Sequence, residues 1–185
     1  MWENRKRKDV GNDCLVTVDG TDFRIERQTG NGKSWYSHKF HGSGLRYEVG
    51  VSILEGNIVW INGPYPCGDY PDISIFRLSL LNFLENGERV EADDGYIGEA
   101  PKYIKCPKKD AINSDAHKKI KSRVRSRHET VNQRFKQFSI LRDVFRHDIC
   151  THGDVFRACA TLVQLQIEQG EPLFDTSEYI DVNFE

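Results

Sequence analysis

Two adjacent aspartates, Asp93 and Asp94, interrupt the stretch VEADDGYI at residues 90–97. Carboxylates so close repel one another unless a cation offsets the charge. Oxygen-rich sites suit hard divalent ions such as Mg²⁺ and Mn²⁺, so an acidic pair at a strand end points to a divalent metal. Further acids could complete such a site: Asp19 upstream, Asp72 between, Glu129 downstream. Each also has a plainer structural use. Asp19-Gly20 is a dipeptide of hairpin turns. Asp72 precedes an apolar-periodic run and would cap a helix there. Glu129 stands four residues after Arg125, a natural ion-pair partner on one helix face.

The elements that must position these acids can be read from periodicity. Leu15, Val16 and Val18 predict a strand, Asp19-Gly20 a tight turn, and Phe23 and Ile25 the start of a second strand. Residues 45–54 and 57–62 are β-rich runs joined at Glu55-Gly56 as a hairpin, and the Gly- and Pro-rich stretch 63–72 reads as loop. Apolar residues at 73, 76, 80, 81 and 84 predict an amphipathic helix ending at Asn86-Gly87. Short strands follow at 89–92 and 103–106. Residues 116–146 read as one long helix, or two in line, with Ile120, Val124, Val131, Phe135, Phe138 and Phe145 on one stripe. Glu129 falls opposite that stripe, together with Lys118, Arg125 and Lys136. A last amphipathic helix spans 154–169, and residues 171–185 read as a loosely ordered acidic tail. Strands, a helix, a strand and then helices suit an α/β domain with a mixed sheet.

Composition narrows the class. The chain has 185 residues, 38% hydrophobic and 29% charged, enough for one domain with a real core. Its apolar runs fall short of the ~20 residues of a membrane helix, and its basic start is not followed by an apolar segment, so neither membrane insertion nor secretion is expected. Five cysteines, an odd number without a CxxC pair, predict reduced thiols. A zinc site from His38, His41, His147, Cys150 and His152 would need tighter paired spacing, so these read as core or surface residues. The formal charge of −2 conceals an asymmetry: residues 101–147 hold 14 Lys or Arg against 4 Asp or Glu, a net +10. A block so basic suggests contact with a polyanion such as a phosphate backbone; a solvated basic helix face is the plainer alternative.

Four blocks in order resemble the nuclease domain of Harbinger/PIF-type transposases of the DDE superfamily. VDGTDFRI resembles the family's first-strand block, GDYPDISIFR its "GSxHDSxxFR" block, EADDGYIG its "xGDSGYxx" block, and SRHETVNQRFKQFSIL its final helical block. Pro71 replaces the family's His, and Asn132-Gln133 its Phe-Gly. The similar run covers roughly residues 14–160. The resemblance implies an RNase H-like fold, a mixed sheet flanked by helices in a single domain at 14–165, with a basic extension at 1–13 and an acidic tail at 166–185. It places the three catalytic, metal-binding carboxylates at Asp19, Asp93 and Glu129, with Asp72 and Asp94 beside them in supporting positions. Two Mg²⁺ or Mn²⁺ ions about 3.5–4 Å apart would stabilise nucleophile and leaving group together in phosphodiester cleavage. Asp19 would bridge the ions, and Asp93 and Glu129 would each hold one.

The implied function is a nuclear DNA endonuclease with DNA as partner. Lys118, Lys121, Arg125 and Lys136 are expected on the phosphates. The family's transposases carry a helix-turn-helix segment before the nuclease domain. This chain starts almost at the first strand, so it reads as a fragment, a truncated gene or a domesticated copy whose site selection would need a separate DNA-binding protein or a lost N-terminal region, and the oligomeric state is left open. A catalytically idle, domesticated DNA-binding or interaction module is the alternative.

Overall fold

The computed structural model describes residues 1–6, 14–28, 32–109 and 115–179. Its frame is a six-stranded mixed sheet of β1 (Cys14–Arg24), β2 (Tyr36–Ser37), β3 (Gly42–Ser52), β4 (Ile58–Pro66), β5 (Arg89–Glu91) and β6 (Ile104–Lys105). β1 runs antiparallel to β3 and parallel to β5; β2 and β4 pair with β3, and β6 continues the parallel part beside β5. Four helices flank the sheet: α1 (Asp72–Leu78), α2 (Asp115–Phe135), α3 (Ser139–Arg142) and α4 (His152–Glu168). The α/β architecture with a mixed sheet is thus as the periodicity predicts.

Side-chain alternation divides the core into two layers. On one face, Phe23, Leu45, Tyr47, Val49 and Val51 pack against Val131 and Phe135 of α2 and Phe156 and Val163 of α4. On the other, Val16, Val18 and Val59 pack against Phe76 of α1, Leu80 and Tyr96. Ile58 and Val59, adjacent in β4, go to opposite layers. Fully burying a Phe or Val contributes about 1.5–3 kcal/mol. The buried stripe Val124, Val131 and Phe135 therefore holds the otherwise polar α2 in place.

Three local expectations are corrected. First, Asp19-Gly20 is not a turn, because β1 runs unbroken through it and Asp19 lies in mid-strand opposite Val49. Glycine is needed for a different reason: a Cβ at Gly20 would lie 1.9 Å from Oδ1 of Asp72, which descends from the start of α1. Gly20→Ala is therefore expected to displace the Asp72 side chain and to destabilise the fold by about 1–3 kcal/mol, the usual cost of overpacking. Chemical denaturation checks it, and an unchanged midpoint would show that Asp72 has room to move.

Second, the helix expected over 73–84 breaks at Ser79, whose backbone leaves the helical region (φ −136°, ψ −79°), and resumes as a 3₁₀ turn at Leu80–Phe83. The break keeps Leu80 buried and turns Leu78 and Phe83 to solvent. Asp72 does not cap α1 with its side chain either; its carboxylate faces Arg46, 3.4 Å from Nη1. Third, α2 stops at Phe135 and α3 is a separate turn, so Phe145 reaches the core through a bridge to Ile25 and not on the same helix.

Both ends of the described chain are also pinned. Trp2 packs edge-on against Trp60, and the buried Arg5 guanidinium donates to both carboxylate oxygens of Glu88 at 2.6 and 3.0 Å. The segment expected as a loose tail buries Leu173, Thr176 and Tyr179. Residues 7–13 of the basic extension and 180–185 of the acidic tail lie outside the described residues.

Candidate functional site

The register of β1 and β5 builds the site. The two strands pair in parallel through Val16–Val90 and Thr17–Glu91. Two residues further along each chain come Asp19 and Asp93, so the same step along both strands brings the two aspartates to one level. Asp93 sits where β5 has ended; its Oδ1 accepts from the Gly95 N–H at 2.8 Å and caps a 3₁₀ turn, Asp94–Glu99. α2 crosses this end of the sheet, and Glu129 comes from it. Asp19, Asp93 and Glu129 line one pocket of about 220 Å³, together with Val18, Ser122, Arg125, Ser126 and His128. Three acids, one from each of three separate elements, are thereby brought to one place.

Electrostatics single out Asp19. Burial raises its pKa from 3.8 to about 6; Lys39 opposes the rise, Asp93 adds to it by like charge, and the Gly20 N–H, donating to Oδ1 at 2.8 Å, opposes it. A raised carboxylate pKa means that the folded chain holds the proton more tightly than the unfolded one. Stability is then lost as pH rises from about 4 through about 6. Asp19→Asn, without divalent ions, is accordingly expected to raise Tm at pH 7.5, by an amount worth about 1 kcal/mol after allowance for the open pocket mouth. At pH 4 the gain should vanish. A gain equal at both pH values would show that charge is not its cause.

The supporting acids behave differently. The Asp72 carboxyl is pushed up by burial against the opposing pull of Arg46 and Lys39. Close by, Glu48 of β3 is fully buried, accepts from Trp60 Nε1 at 2.9 Å, and is raised to about 8, chiefly by burial. Burial thus favours the neutral form of its carboxyl. Asp94 turns away to Lys108, accepting from that residue's backbone N–H at 3.2 Å with its ammonium 3.3 Å from Oδ2.

The basic residues chosen from the sequence are distributed otherwise than the helical wheel implies. Lys118 is exposed and paired with Asp115 at 3.5 Å, and Lys136 is exposed. Lys121 is buried. Arg125 lines the pocket but does not pair with Glu129; its Nη1 reaches Oε2 of the fully buried Glu91 at 3.1 Å. Desolvation explains the choice, since a buried carboxylate needs the cation more than an exposed one.

His128 was not picked out in the sequence. It lies under the pocket, is held to Thr17 through a backbone hydrogen bond, and is kept neutral by burial, with its pKa lowered to about 4. Its Nε2 is buried without a partner. Beside Glu129 it fixes where α2 meets β1, and the sequence signals this only by a histidine next to an acid. The histidines weighed for zinc have other work: His152 Nδ1 bonds Tyr47 Oη at 2.7 Å, and His147 packs on Phe145.

The donor set is all oxygen, which suits a hard divalent ion. Among the described residues, no three His, Cys, Asp or Glu side chains stand close enough to hold an ion as they are placed. Glu129 is exposed, whereas Asp19 is held in β1. No helix among the described residues is long and apolar enough to cross a membrane. No family model, curated protein or solved structure matches the chain.

Proposed function

We propose that the domain is a divalent-metal-dependent DNA endonuclease with an RNase H-like fold and a carboxylate triad of Asp19, Asp93 and Glu129. The observation that supports this reading most is the single pocket lined by these three acids, which lie 74 and 36 positions apart in sequence. The raised pKa of Asp19 adds to it, because desolvated, mutually repelling carboxylates are stabilised by a bound cation.

Asp19, Asp93 and Glu129 would hold Mg²⁺ or Mn²⁺, which supplies an activated water and neutralises charge on the phosphate. The protein's own contribution is positional. β1 and β5 fix the two aspartates at one level, and His128, neutral and tied to Thr17, anchors the turn of α2 that presents Glu129. Arg125, restrained by Glu91, keeps one cationic group at the pocket wall where phosphate charge would approach.

Nicking of supercoiled plasmid with Mn²⁺ tests the reading directly. Mn²⁺ should also raise the Tm of wild type by mass action and raise that of Asp19→Asn much less. Absence of nicking and of any metal-dependent Tm shift would remove the proposal. A catalytically idle DNA-binding module, domesticated from such an enzyme, is the second reading; it is favoured by the fact that the acids share a pocket without closing to ligating distance among the described residues.

A further inference from the structure

Beside the acidic pocket lies a second cavity, about 400 Å³, whose walls include Gly20, Arg24, Lys39, Asn132, Lys136 and Arg142. We propose that this cavity binds a phosphate of a nucleic-acid backbone and seats the strand next to the acidic pocket.

The four cations come from four separate segments: the end of β1, the 38–41 loop, the residue after α2, and the end of α3. Neither Arg24 nor Lys136 has an acidic partner among the described residues. Arg24 is steadied by the Phe40 ring, its guanidinium carbon 5.2 Å from the centroid. Lys39 donates to the Gly20 carbonyl at 2.5 Å, which aims its ammonium along the same wall. Arg142 pairs with Asp143 at 3.1 Å, an exposed contact that a phosphate can displace at little cost. The one acid among the described lining residues, Asp22, is already compensated. Arg46 donates to both of its oxygens at 2.7 and 2.9 Å, and the Ser37 hydroxyl donates at 2.5 Å. Among the described lining residues, the cavity therefore presents cationic donors without an uncompensated carboxylate of its own; of the four, Lys39 also faces Asp19 of the neighbouring pocket.

Position favours a backbone over a free anion. Gly20 follows Asp19 directly, Asn132 lies one helical turn beyond Glu129 on α2, and Lys136 comes directly after that helix ends at Phe135. An extended polyanion spans both pockets, whereas a lone phosphate occupies one. That the neighbouring phosphate is the one cut rests on the reading of the acidic pocket given above; the binding does not.

The test is titration of wild type with a fluorescent duplex of random sequence in EDTA, over a series of NaCl concentrations. The double variant Arg24→Gln, Lys136→Gln is expected to bind at least ~10-fold more weakly and to flatten the log–log salt slope by up to about 2. Arg157→Gln, exposed on α4 and outside the cavity, should bind as wild type does. Both cavity residues are exposed, so thermal melting should confirm an intact fold. Unchanged affinity and slope in the double variant overturn the proposal, as does wild type that binds inorganic phosphate but no duplex. EDTA keeps the two readings apart. Cavity-dependent binding by a protein that never nicks sustains the cavity and removes the endonuclease; nicking by the double variant at wild-type rate and affinity does the reverse.

Discussion

Asp93→Asn and Glu129→Gln are each expected to reduce Mn²⁺-dependent nicking by at least ~10²–10³-fold, the scale on which one preorganised charged group acts on a reacting centre. Both should fold as wild type does. Asparagine at 93 keeps a side-chain oxygen to accept the Gly95 N–H, so the cap is retained while the charge is lost. Glu129 is exposed, so its amide leaves no buried group without a partner. The pair of variants thus separates ligand loss from structural damage. Single-turnover nicking of supercoiled plasmid, with far-UV circular dichroism as the folding control, gives the answer. Either variant cutting at the wild-type rate would dismiss that residue from the site.

The largest stability loss is expected at Arg127. Its side chain is almost wholly buried and donates to three backbone carbonyls: Ser52 at 3.3 Å, Ile53 at 2.5 Å, and Phe174 at 3.1 Å from Nε and 2.5 Å from Nη2. Burial lowers its pKa to about 10, so it stays charged at neutral pH and its hydrogen bonds are charge-assisted. Arg127→Met keeps the apolar stem but leaves these carbonyls without their donor, at about 1–3 kcal/mol each where buried. A total of roughly 3 kcal/mol or more is expected by urea denaturation. A loss below about 1 kcal/mol would mean that water replaces the guanidinium.

The layered core was the most legible part of the sequence. The hairpin of β3 and β4, the stripe on α2 and the body of α4 follow from alternation and helical spacing, because burial selects side chains one by one along a regular backbone. Gly20 shows why other parts were not. A glycine after an aspartate has the same letters whether it serves a turn or admits the carboxylate of a residue 52 positions away, and only the packed structure tells them apart. Asp72 and Arg125 teach the same lesson for charge. Local spacing offered Asp72 a helix N-terminus and Arg125 a glutamate four residues on, but desolvated partners on the sheet, Arg46 and Glu91, hold them instead. The acidic pocket was legible as residues and the basic cavity was not, because Arg24 and Lys39 lie far from the basic block and meet Lys136 only in the fold.

Glu91 has a consequence for the order in which the molecule is made. Its buried carboxylate accepts from Tyr179 Oη at 2.7 Å on one side and pairs with Arg125 at the pocket wall on the other. Arg127, two residues further along α2, is tied to Phe174 in the same segment. During synthesis, strands and helices up to α4 can form while residues 173–179 are still inside the ribosome, but α2 then lacks its last restraints against the sheet. The acidic pocket would be finished only after Tyr179 emerges, so a nascent chain stalled before it should carry the sheet and an unformed site.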